Sequence, residues 1–161
     1  MSGGKRKTIT AYLIAGIIIL DQLTKYWVLR NFSPGQSIPV IKNIFHLTYV
    51  LNSGAAFGIL RGRVYILMLI AAAVVILILV NLRRIKLPLV KIALALILSG
   101  AVSNLIDRLR LNAVIDFLDF RVWPVFNVAD SAITVGAVLL AYSVIFKKDK
   151  KAARGGGRCI R

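Results

Sequence analysis

The chain has no glutamate, one histidine and one cysteine among its 161 residues. Each scarcity closes off a kind of chemistry. A lone Cys159 allows no intrachain disulfide and no cysteine-built metal centre, and its place near the end does not fit a prenylation box. His46 by itself cannot assemble a zinc site without cysteines beside it. Without glutamate there is no His-Glu-x-x-His motif. A Gly-x-Ser-x-Gly elbow and a phosphate-binding glycine loop are missing too. A serine nucleophile would have to pair Ser53 with His46, and nothing in the sequence orients the two as a triad. His46 reads instead as a sheet residue. Negative charge is scarce as well. The six acids, Asp21, Asp107, Asp116, Asp119, Asp130 and Asp149, stand against 22 Lys and Arg, for a formal charge of +16. The cations gather at the ends of apolar runs, a pattern of membrane topology rather than of a nucleic-acid-binding face.

What the chain has in quantity is apolar side chain. Hydrophobic residues make up 58% of it and the mean hydropathy is +0.79, whereas soluble domains run at about 45–50% apolar. Four runs reach the roughly 20 residues that cross a bilayer: about 9–28, 64–82, 87–106 and 125–146. The first follows Lys5, Arg6 and Lys7, as a signal peptide would. Its apolar stretch exceeds a signal's core and no small-residue cleavage site follows, so it reads as a retained helix. The fold class expected is an all-α integral membrane protein of four transmembrane helices, a single membrane domain over 1–147 with a basic, disordered tail over 148–161.

Lys and Arg also set sidedness. Three precede the first span, four lie in 83–91 and seven in 147–161, against eight spread over the other connections. The positive-inside rule places both termini in the cytoplasm and the connections 31–62 and 108–121 outside. Trp27 and Trp123 then fall at outer ends, where an aromatic belt belongs. The outer loop 31–62 carries two β-prone stretches, 37–41 and 45–50, separated by 42–44, which predicts a small sheet.

Charged groups at membrane depth are costly and usually functional. Five of the six acids sit at the outer ends of the spans or in the loop joining the last two. Asp116 and Asp130 can face each other across a short hairpin. Two carboxylates that close share a proton, supplying an acid and a base together for water-driven peptide hydrolysis. Plainer readings stand beside this one. Asp21 and Lys25 are spaced as a helix-surface ion pair. Asp107 precedes Arg108 and reads as its ion-pair partner, and Asp119 near Arg121 reads as solvated. Asp130 suits a helix start as dipole partner and cap. Asn52, Asn104 and Asn127 read as turn or cap residues.

The ordered stretches Asp21-Gln22-Leu23-Thr24-Lys25, Asn52-Ser53-Gly54-Ala55-Ala56-Phe57, 100–108 (GAVSNLIDR), Val114-Ile115-Asp116-Phe117 and Phe126-Asn127-Val128-Ala129-Asp130-Ser131 resemble the signal peptidase II family, the prolipoprotein signal peptidases. The likeness covers nearly the whole chain outside the tail. It implies an aspartic endopeptidase of the bacterial cytoplasmic (inner) membrane, with a small outer β-cradle. Such an enzyme cuts a signal peptide before a diacylglyceryl-modified lipobox cysteine. It implies Asp116 and Asp130 as the catalytic pair, with Asn52, Gly54, Asn104, Arg108 and Asn127 lining or bracing the site. Asp21, Lys25 and Asp107 fall at supporting positions. The partners implied are a diacylglyceryl-prolipoprotein substrate and membrane lipid, for a monomer with no cofactor, no metal and no nucleic acid. One departure is a short stretch, 120–124, between the two aspartates. The rival readings are a proton-relay or transport protein, disfavoured by the absence of a repeat and the gathering of acids at one surface, and a membrane assembly factor with structural ion pairs.

Overall fold

The computed structural model describes the backbone of residues 3–54, 60 and 62–155 and the side chains of 8–54, 60 and 62–146. The Ala55-Ala56-Phe57 portion of the second motif, and Cys159, lie outside the described residues. Helix α1 spans Gly3–Asn31, strand β1 Ser37–Ile41, strand β2 Phe45–Asn52, helix α2 Val64–Leu82, helix α3 Pro88–Leu111, strand β3 Val114–Asp119 and helix α4 Val128–Gly155. Among the described residues four helices are long and apolar enough to cross a membrane. The third runs to Leu111, five residues past the expected end of its span, so Asp107 lies inside the helix rather than closing it. Helix α4 is assigned through Gly155.

Helix α3 packs against each of the other three and buries nine residues, among them Ala93, Ala95, Ser99, Gly100, Ala101 and Ser103. Small side chains let helix backbones approach closely where burial from water gives no driving force. Two glycines show how closely. A Cβ on Gly100 would run into the carbonyl oxygen of Ala129, and one on Gly136 would lie 2.7 Å from the carbonyl oxygen of Ala93. Helix α2 is the opposite case: it is apolar all round and buries only Val64, Leu67 and Ile78, leaving the rest for lipid.

The sheet is antiparallel in the order β1-β2-β3. Its third strand was expected as a loop. Asn112 adopts a left-handed conformation (φ 53°) and caps α3, so the chain reverses within two residues and β3 returns over the helix end. Val28 of α1, Phe32 just past its end, Tyr49 of β2, and Ile115 and Phe117 of β3 form one buried cluster. Each large apolar side chain buried contributes roughly 1.5–3 kcal/mol, enough to seat a three-stranded sheet that would be marginal alone. Edge strand β1 is exposed along its length and carries Pro39, which an edge tolerates.

Candidate active site

Alternation along β3 sends Ile115 and Phe117 into the buried cluster and Asp116 to the other face. Its partner strand is adjusted to match. The β2–β3 register shifts between Leu47 and Val50, after which Val50 lies opposite Asp116 and Asn52 opposite Val114. The extra residue puts Val50 and Asn52, rather than Tyr49 and Leu51, on the Asp116 face. Asn52 is then a diagonal neighbour of Asp116, and its Nδ2 donates to Asp116 Oδ2 at 2.9 Å. The other end of the same amide is held too: Asn52 Oδ1 accepts the backbone N–H of Gly54 at 2.9 Å.

Asp130 arrives from α4. It does not cap that helix; Asn127 does, its Oδ1 accepting the N–H of Asp130 at 2.8 Å. That bond fixes which way the Asn127 amide points. Its Nδ2 therefore faces Asp116 Oδ1 at 2.7 Å and Asn104 Oδ1 at 3.3 Å. Asn104, one helix away, donates through Nδ2 to Asp130 Oδ1 at 2.8 Å. Two amides thus cross-link the two carboxylates. Asp116 is 1% exposed. Burial, and then the charge of Asp130, push its carboxyl up to about 7, against the hydrogen bonds of Asn52 and Asn127 and the charge of Lys25.

Beneath the pair lies a second group of charges. Lys25 is 2% exposed and Asp21 fully buried. The three N–H bonds of the Lys25 ammonium go to Asp21 Oδ2 at 2.7 Å, Asp107 Oδ2 at 2.8 Å and Asn104 Oδ1 at 2.8 Å. The remaining lone pairs are also engaged. Asp21 accepts from Ser103 Oγ and from the backbone N–H of Ala129, both at 2.7 Å. Asp107 accepts from Gln22 Nε2 at 2.9 Å and from the backbone N–H of Ile115 at 3.3 Å. The triad ties together α1, α3, β3 and α4, the four elements that carry Asp21, Asp107, Asp116 and Asp130. Buried charge persists only when paired and hydrogen-bonded.

Several expectations need correction. Asp107 pairs with Lys25, not with Arg108; adjacent residues on a helix point in different directions. Arg108 instead donates to the Gly54 carbonyl at 3.3 Å. The Asp21–Lys25 pair is not a surface pair but the buried core of the triad. Asp119 is on a strand and buried rather than solvated. Burial pushes its carboxyl up, but hydrogen bonds from Thr48 and from the amide and guanidinium of Arg121 outweigh this and hold it below the ordinary range. Gln22 and Ser103 were not singled out as site residues, although both lie in the motifs quoted. Their uncharged side chains carried no signal beyond that.

Of the expected site residues, Asn52, Gly54, Asn104, Arg108, Asp116 and Asp130 line one cavity of about 1010 Å³. Asn127, Asp21, Lys25 and Asp107 lie behind its wall. The rest of the lining is largely apolar, with Phe120, Val122, Trp123 and Phe126 on one side and Ile133 and Val135 of α4 on the other. Among the described residues no three His, Cys, Asp or Glu side chains converge as metal ligands. The chemistry on offer is a carboxylate pair, amide donors and one guanidinium.

Known proteins are similar to this chain in sequence and fold. A lipoprotein signal peptidase of Caldanaerobacter subterraneus is 50% identical over 139 residues, which cover 84% of this chain and 94% of that protein. One from Moorella thermoacetica is 46% identical over 138 residues, covering 83% and 92%. A solved bacterial membrane enzyme superposes with a TM-score of 0.81 at 28% identity, over 96% of this chain and 95% of its own. With four candidate spans among its described residues and a membrane enzyme as structural neighbour, the protein is membrane-embedded and multi-pass. The family described as signal peptidase (SPase) II matches residues 13–146, a stretch that contains every carboxylate and amide of the cavity and of the triad beneath it, so the chain belongs to the signal peptidase II family.

Proposed function

We propose that this lipoprotein signal peptidase is an aspartic endopeptidase that cuts diacylglyceryl-modified prolipoproteins immediately before the lipidated cysteine, with Asp116 and Asp130 holding the attacking water. One observation carries the reading: two carboxylates from different elements share a cavity and are held by two buried amides, Asn127 and Asn104. One carboxylate takes a proton from the water as its oxygen attacks the scissile carbonyl carbon. The other gives up its proton to the departing amine as the C–N bond breaks. The pair titrates as a unit, so the single shared proton belongs to both. The signal helix enters sideways from the bilayer. Trp123, half exposed at the rim, and the apolar wall of α4 suit its lipid. The concentration of Lys and Arg at the opposite end supports a topology with both termini in the bacterial cytoplasm and the cavity at the outer face of the inner membrane.

The test is cleavage of a lipobox peptide bearing diacylglycerol, by the purified protein and by Asp116→Asn and Asp130→Asn. Either substitution should slow cleavage by roughly 10²–10⁴-fold without lowering the melting temperature. Cleavage at the unaltered rate by either variant would overturn the assignment.

A further inference from the structure

A second concavity lies at the other end of the bundle. It measures about 310 Å³ and is lined by Thr10, Ala11 and Ile14 of α1, Leu82 and Arg83 at the end of α2, and Lys91 of α3. Counting residues along the helices at 1.5 Å each, it sits ~16 Å from Asp21 on α1 and ~20 Å from Asn104 on α3. It is therefore on the opposite bilayer face from the aspartate pair. Its floor is half-buried and apolar, with Ile14 and Leu82, and Lys91 is half-buried beside them while Arg83 is exposed. The described ion pairs use only Lys25 and Arg121 as cations. The described carboxylates, Asp21, Asp107, Asp116, Asp119 and Asp130, are all at the far end. Asp149 lies beyond the described side chains.

We infer that this groove binds the headgroup of an anionic bilayer phospholipid. Arg83 and Lys91 take the phosphodiester, and an acyl chain lies along Ile14 and Leu82. Two cations above an apolar floor match both halves of such a lipid, and basic pockets between spanning helices are where these headgroups dock. The lysine stem can lie on the apolar wall while its ammonium reaches the interface. A zwitterionic lipid brings a cation of its own next to Arg83 and is disfavoured. Arg84 and Lys86 belong to the same basic link but do not line the groove, so they separate a site from a diffuse positive surface.

Native mass spectrometry in mild detergent, with dioleoylphosphatidylglycerol titrated against dioleoylphosphatidylcholine, tests the assignment. The unaltered protein should retain the glycerol lipid preferentially. Arg83→Gln with Lys91→Gln should lose that preference by roughly fivefold per cation removed, whereas Arg84→Gln with Lys86→Gln should keep it. Should the first double variant fold poorly, Ala11→Phe fills the groove with the charges left in place and should also release the lipid. Equal losses in both double variants, equal retention of the two lipids by the unaltered protein, or unchanged retention by Ala11→Phe would each overturn the proposal. Displacement of the lipid by inorganic phosphate would reassign the groove to a free anion.

Discussion

The two charge clusters of this protein are built from the same residue type and differ in how completely each is satisfied. In the Asp21–Lys25–Asp107 triad every N–H of the ammonium has an acceptor and every carboxylate oxygen a donor. Nothing is left over for a ligand, and the group acts as a clamp. In the pair above it, Asp116 takes one amide on each oxygen, while among the described side chains only Asn104 donates to Asp130. Among the described side chains no cation pairs with either at ion-pair distance. An aspartate's role is thus set by its partners: three donors, one of them a buried ammonium, make Asp21 and Asp107 structural, whereas amides alone beside a cavity suit Asp116 and Asp130 to the proposed water and proton.

The contrast breaks most visibly when each cluster loses one charge. Asn in place of Asp116 or Asp130 should slow cleavage by roughly 10²–10⁴-fold and spare the fold. Lys25→Met should do the reverse in order of cause. It strands two buried carboxylates and should cost about 3–5 kcal/mol, measured by detergent-compatible thermal unfolding. It should also cost more than Asp21→Asn, which keeps an uncharged acceptor in place. A Lys25→Met protein as stable as the parent would remove the clamp from the account.

A smaller effect is expected where the clusters depend on close helix packing. Gly100→Ala puts a methyl against the Ala129 carbonyl, one residue before Asp130. Forcing extra volume into a packed contact typically costs about 1–3 kcal/mol. Here it should displace α4, so that activity falls further than stability. Parallel unfolding and cleavage assays read both.

The pH response separates the clusters again. Because the Asp116 carboxyl is raised to about 7, its contribution is most favourable at low pH and is lost as pH climbs from about 4, its usual unfolded value, through 7. Asp116→Asn should flatten that part of the melting-temperature profile. The cleavage rate of the unaltered protein should fall as the shared proton leaves near pH 7. The smallest change is expected at Asp119. Its partner Arg121 is half exposed, so Arg121→Gln should alter stability by less than about 1 kcal/mol.

The spans, the sheet-forming stretches 37–41 and 45–50 and the gathering of Asp116 and Asp130 at one cavity were legible because each depends on local pattern. Length and apolarity mark a span, β-branched runs mark strands, and acids are conspicuous in a chain that has so few. Strand β3 was not legible. Its six residues, VIDFLD, contain two aspartates and look like a loop until β2 supplies the other half of the ladder. The partner of Asp107 was misread for a similar reason: sequence proximity favoured Arg108, while helix geometry turned Asp107 toward a lysine on another helix.

The sequence alone decided that this chain lives in a bilayer and which acids are worth watching. It could do so because hydropathy and charge are summed along the chain and need no contacts. Tertiary structure decided which aspartates are saturated and which are not. That outcome rests on a one-residue register shift in β2, on the direction in which Asn127 points, and on two glycines that let α3 and α4 touch. Each depends on atoms from elements distant in sequence, whose separation only packing can set.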